Sequence, residues 1–113
     1  MSEMIDPNQA IDYIIAKSGE YAKARAERIY MEELRKTKKA ELCKTALHQG
    51  FEAVNAQERE AYSDPNYKSH LMAIKQAVEA EEKLRWMLIA AQARIEVYRT
   101  QSANNRFVEK ATL

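Results

Sequence analysis

Between Pro65 and about Asn104 the sequence holds neither proline nor glycine, and the same is true from Glu20 to about His48. The 113-residue chain contains only two of each breaker, so both windows are free to propagate as helix. At 1.5 Å per residue they predict helices on the order of 43 Å and 60 Å long. Abundant Ala, Glu, Lys, Arg and Leu, with 31% charged residues, agree with helix and leave little for strands. The expected fold is all-α: a long antiparallel helical hairpin, coiled-coil-like, with a short N-terminal helix and a short connecting helix, making one domain over residues 1–113.

Local signals set the expected boundaries. Asp6-Pro7 and Asp64-Pro65 each put a capping carboxylate before a proline whose missing N–H costs nothing at the first helical position. They predict helix starts at 7 and 65. The first helix is expected over 7–17, ended by Ser18-Gly19, and the first long one over 20–48, stopped by Gln49-Gly50. Asn55 and Glu58 have the spacing of a capping box, which predicts a connecting helix over 56–62. The second long helix is expected to run from 65 to about 104, with a frayed tail over 105–113.

Apolar spacing predicts how these helices pack. Ile11, Ile14 and Ile15 share one side of the first. Tyr30, Met31, Leu34, Leu42 and Thr45 form a stripe on the next, led in by Ala22 and Ala26. On the last helix Tyr67, Leu71, Ile74 and Val78 make one stripe, and Leu84, Leu88, Ala91, Ile95 and Tyr98 make another. The step of six from Val78 to Leu84 predicts a change of phase. Trp86, Ala90, Ala93 and Val97 lie almost opposite the second stripe. A helix apolar on two sides needs two partners, and the candidates to cover Trp86 are the N-terminal helix or a second copy in a homo-oligomer.

Several classes of function lack their raw material. Cys43 is the only cysteine, so no intrachain disulfide forms, and it reads as a small helix residue. His48 lies about 140° round a helix from Cys43, and His70 has no Glu or His at helical ligand spacing. Glu79 and Glu82 alone read as a solvated face. No metal site and no cofactor are expected. With no phosphate loop, nucleophile elbow or dinucleotide fingerprint, catalysis is not expected either. The longest apolar run, Trp86 to Ala91, is far below the roughly 20 residues of a spanning helix. The N-terminus has no secretory pattern. A cytoplasmic protein with no membrane partner is the expectation.

Net charge is +1, so any electrostatic signal is local. A fold-back through residues 49–65 is expected to set residue x of the first long helix roughly opposite residue 114 minus x of the second. Lys36, Lys38 and Lys39 then approach Lys75 to Val78, with Glu79, Glu81 and Glu82 close by for exposed ion pairs of small value. Lys38, Arg85 and Gln92 fall at or near the seam, where polar residues fix register. The same register gathers Arg25 and Arg28 with Arg94, Arg99 and Arg106 at one basic end, with Tyr98 beside them. Those arginines are the candidate phosphate ligands for nucleic acid, and Tyr98 is the candidate stacking surface. The competing reading is that Arg94 and Arg99 simply favour the negative end of their helix dipole.

The run Glu60-Ala61-Tyr62-Ser63-Asp64-Pro65-Asn66-Tyr67, then Leu84-Arg85-Trp86, Ala91 to Arg99 and Asn104-Asn105-Arg106, resembles a group of small helical proteins of tailed phages and prophages. Ala24 to Tyr30 is similar as well. The resemblance implies an accessory role among phage replication and recombination genes, in the host cytoplasm, with no activity or site residue to carry over. The leading expectation is therefore a non-enzymatic accessory protein in DNA recombination or replication that binds single-stranded DNA or a phage or host recombination protein. The alternative is a protein-interaction module, such as an inhibitor of a host enzyme, acting through Trp86, Ala90, Ala93 and Val97.

Overall fold

The computed structural model describes residues 6–112, and among these every regular element is helical. Three helices follow one another: α1 (Pro7–His48), α2 (Val54–Ser63) and α3 (Pro65–Thr112). The all-α helical hairpin expected from the breaker-free windows is the fold. No described helix is long and apolar enough to cross a membrane.

Both Asp-Pro starts work as expected. The Asp6 carboxylate accepts the Asn8 N–H at 2.9 Å, and the Asp64 carboxylate accepts that of Asn66 at 2.7 Å, each satisfying a donor that has no partner within the helix. Gln49-Gly50 also stops α1. Gly50 takes φ +105°, its N–H bonds Leu47 O, and the Phe51 N–H bonds Ala46 O. This is the paired hydrogen bonding of a Schellman cap around a left-handed residue.

Three local expectations are corrected. Ser18-Gly19 does not interrupt α1, so there is no separate N-terminal helix. Among the described residues Gly50 is the one glycine with positive φ, the Ser18 hydroxyl bonds back to Ile15 O, and Lys17 pairs with Glu20 across the site at 3.2 Å. One glycine costs about 1 kcal/mol in a helix, too little to break a segment supported on both sides. The capping box does not form: α2 begins one residue earlier than Asn55, after Ala53, which makes no side-chain cap, and Glu58 turns instead to Lys39 at 3.5 Å. Residues 105–112 continue α3 and are not frayed; Leu113 lies outside the described residues.

The chain divides into two compact units, Met1–Ala22 with Glu82–Leu113, and Lys23–Glu81. In the second unit Ala46, Ala61 and Tyr67 are buried. Tyr67 meets Tyr62 edge-on with centroids 5.3 Å apart. The Lys39 ammonium sits 4.9 Å from the Tyr62 ring centre, and its pKa is raised chiefly by its hydrogen-bonding contact with Tyr62, then by Glu58, against desolvation. In the first unit Ala10 and Ala91 are the buried positions. Small residues let helix backbones approach closely, but they bury little apolar area. Among the described residues no large side chain is fully buried.

The register differs from expectation. Arg28 donates to both carboxylate oxygens of Glu81, the terminal-nitrogen bond being 3.2 Å, and to Glu32 at 3.0 Å; register 114 would have set it beside Trp86. His70 Nε2 lies 2.8 Å from Met31 O, and since a carbonyl only accepts, that nitrogen carries the proton. Met31 had been expected near Lys83. In the second unit these contacts are displaced from the expected register by 5 and 13 residues, about one and a half to three and a half turns. In the first unit Ala10 and Tyr13 share a hollow with Met87, Ala91 and Arg94.

A sheltered line on α3 runs Tyr67, His70, Ile74, Ala77, Glu81, Leu84, Leu88, Ala91, Ile95, Tyr98, Ser102, with Ala73, Glu82, Arg85 and Gln101 half-buried beside it. The line is an unbroken alternation of three and four, so the expected change of phase does not occur. Glu81, only 6% exposed, occupies the position where the apolar pattern skips. Arg28 neutralises it, and the guanidinium pKa is raised in return, mainly by the Glu81 hydrogen bond. On α1 the sheltered line passes through Tyr21, Ala24, Arg28, Met31, Leu34, Lys38 and Leu42, while Ala22, Ala26, Tyr30 and Thr45 are exposed.

Candidate interaction surface

The opposite side of α3 carries the feature that stands out. Trp86, Ala90, Ala93 and Val97 continue, now that the helix runs to Thr112, through Thr100, Asn104, Phe107 and Ala111. Steps of four and three alternate without a break, which is the spacing of a coiled-coil seam. None of the eight side chains is charged, and all eight positions are exposed. Trp86 is 59% exposed and Phe107 74%. Ile89 and Val108 widen the strip and are also exposed.

Of the two candidates expected to cover Trp86, the N-terminal segment does not do so among the described residues. Ile11 and Ile15 point outward at 42% and 71% exposure. Trp86 has the guanidinium of its own neighbour Arg85 at 5.1 Å from its ring, a cation–π contact that covers one face of the indole and leaves the rest to solvent.

Beside the seam lies a hollow of about 360 Å³ lined by Gln9, Ala10, Tyr13, Met87, Ala90, Ala91 and Arg94. The Tyr13 hydroxyl is buried there without a hydrogen-bond partner. The α1 side chains form one wall and the edge of the seam, at Ala90, the other.

The residues expected to bind nucleic acid are distributed as follows. Tyr98, Arg99 and Arg106 line one open hollow on α3 with Ser102, Asn105 and Glu109. Arg99 pairs with Glu96 at 3.0 Å. Arg94 is exposed and belongs to the Tyr13 hollow. Arg25 and Arg28 lie in the other unit, Arg25 exposed and Arg28 engaged by Glu81 and Glu32. No cluster of three or more His, Cys, Asp or Glu is arranged around a common point among the described residues.

The sequence reading found the first four residues of the seam and missed the last four. The polar Thr100 and Asn104 hide the period, although both are uncharged and both fall in phase. No protein-family model matches the chain, and neither a curated protein nor a solved structure shows significant similarity to it.

Proposed function

We propose that the protein is a non-enzymatic helical interaction module that works by presenting the outer face of α3 to another helix. The observation that carries this reading is the seam from Trp86 to Ala111, eight uncharged positions in coiled-coil spacing, all exposed, on a helix whose other side is sheltered as far as Ser102 and open beyond it. Contiguous exposed apolar surface on a water-soluble helix marks an association site, and knobs at this spacing need a facing helix to fill. The test is a pull-down with the tagged chain against Trp86→Glu, with circular dichroism to verify helicity. The wild type retains a partner, which includes its own untagged copy, and the variant loses it. Retention of nothing by the wild type, or equal retention by both, would refute the reading.

A second reading, accessory binding of single-stranded DNA in phage recombination or replication, is supported by the hollow that holds Tyr98 with Arg99 and Arg106 and by the sequence resemblance. A ring and two guanidiniums lining one hollow suit a stacked base and its phosphates. Glu96 and Glu109 offset that charge locally, which is why the apolar face is preferred. In anisotropy titrations at low salt, Arg99→Ala and Arg106→Ala should each weaken binding and reduce the salt slope by about 1. Absence of binding at micromolar protein would sink this reading.

A further inference from the structure

We infer that the helix received by this face is the same segment of a second copy, running antiparallel, so that the functional unit is a symmetric dimer joined through α3. The inference rests on the interaction-module reading and names its partner.

Trp86 to Ala111 spans more than three heptads with no charged residue at a seam position, the length at which such a pattern marks a helix–helix seam.

The seam is also self-complementary. Turned end for end about its middle, the seam matches its own large residues to its own small ones. Trp86 falls level with Ala111 of the second copy, and Ala90 with Phe107. Val97 meets Thr100 next to the two-fold axis, and Ala93 meets Asn104 between. Each bulky ring thus enters a layer whose other member is alanine, the alternation that fills a core without voids. A parallel pairing would instead stack Trp86 on Trp86 and Phe107 on Phe107, with alanine against alanine in between. Wide and empty layers would alternate. Sliding the antiparallel pair by one heptad either uncovers Trp86 or sets Asn104 against it, so one register uses the whole seam.

The hollow fits the same register. Phe107, the most exposed large apolar residue among the described residues of the first unit at 74%, is brought to Ala90, which forms the rim of the cavity between Tyr13, Met87 and Ala91. On the same flank Met87 meets Val108 of the second copy. Arg94, level with Ala103, and Glu96, level with Gln101, meet no like charge.

The test combines mass and direction, using the full chain in a Cys43→Ser background. Light scattering should give twice 13.1 kDa. Spin labels on Arg99→Cys then lie near the two-fold axis and close together. Labels on Glu109→Cys lie level with residue 88 of the other chain and are displaced by about 32 Å along the axis. Two equally short distances would mean parallel helices and would overturn the arrangement. A mass of one chain at high micromolar concentration, or of more than two, would overturn the second copy as partner. In the single-chain case the Trp86→Glu pull-down decides separately whether the face serves another protein.

Discussion

Replacing Gly19 with alanine adds a methyl group in the middle of α1, where the added carbon meets no atom within 4 Å. The position is exposed and its backbone is ordinary right-handed helix. The change therefore acts through helix propensity and the entropy of the unfolded chain, about 0.5–1 kcal/mol in favour of alanine. A 113-residue chain unfolds with an entropy of about 0.24 kcal/mol/K, so the midpoint should rise by about 2–4 °C. Thermal unfolding followed by circular dichroism is the assay, at one fixed protein concentration because association shifts the midpoint by mass action. Gly50→Ala is the control with the opposite sign. Its φ of +105° strains any side chain, so stability should fall by about 1 kcal/mol or more. If Ser18-Gly19 ended a helix, Gly19 would be a left-handed cap and alanine would destabilise there too. A lowered midpoint for Gly19→Ala would refute the continuous α1.

Two further expectations concern the sheltered seam. Glu81→Ala should lower the urea midpoint several-fold more than Glu82→Ala, because Glu81 is buried opposite Arg28 whereas Glu82 is half exposed and pairs only with Arg85 three residues on. The double variant Arg28→Leu/Glu81→Leu should recover most of that loss, since removing both members leaves no unpaired charge. Equal effects of the two single changes would contradict the seam register. For Lys39, whose folded pKa is raised above its ordinary value of about 10.4, the stabilisation is complete below pH ~10 and is lost as pH climbs through the raised value. Wild type should therefore lose midpoint temperature above pH ~10.4 faster than Lys39→Met, and parallel curves would dismiss the contact with Tyr62 as a source of stability.

The sequence is legible where a signal is local. Asp6, Asp64 and Gly50 each announce their helix end through backbone chemistry that needs no distant partner, and each does what its spacing implies. Ser18-Gly19 misleads because its effect is small against the cooperativity of a long packed helix. The frayed tail expected from 105 had no breaker behind it, and α3 continues to Thr112. Register and phase were hidden for a different reason. His70 and Glu81 hold seam positions only because Met31 O and Arg28 on α1 answer them, and a one-dimensional reading of hydrophobicity passes over polar residues whose partners lie some 40 to 50 positions away. It then picks Leu71 and Val78, which are exposed. The start of the outer seam was readable because Trp86, Ala90, Ala93 and Val97 need only helical periodicity; its extension depended on knowing that the helix goes on. The expected arginine cluster depended on register, and only its Tyr98, Arg99 and Arg106 part, set by helical spacing alone, lies together in one hollow.

On the outer face of α3, the assembly surface we propose, Val97 sits at the middle. Val97→Glu places a carboxylate beside the two-fold axis from each copy, so two like charges would be desolvated side by side. Sedimentation equilibrium of wild type and variant is the direct measurement. The account predicts twice 13.1 kDa for the wild type and a single chain for the variant, with helicity unchanged. A single chain for both, or two chains for both, would contradict it.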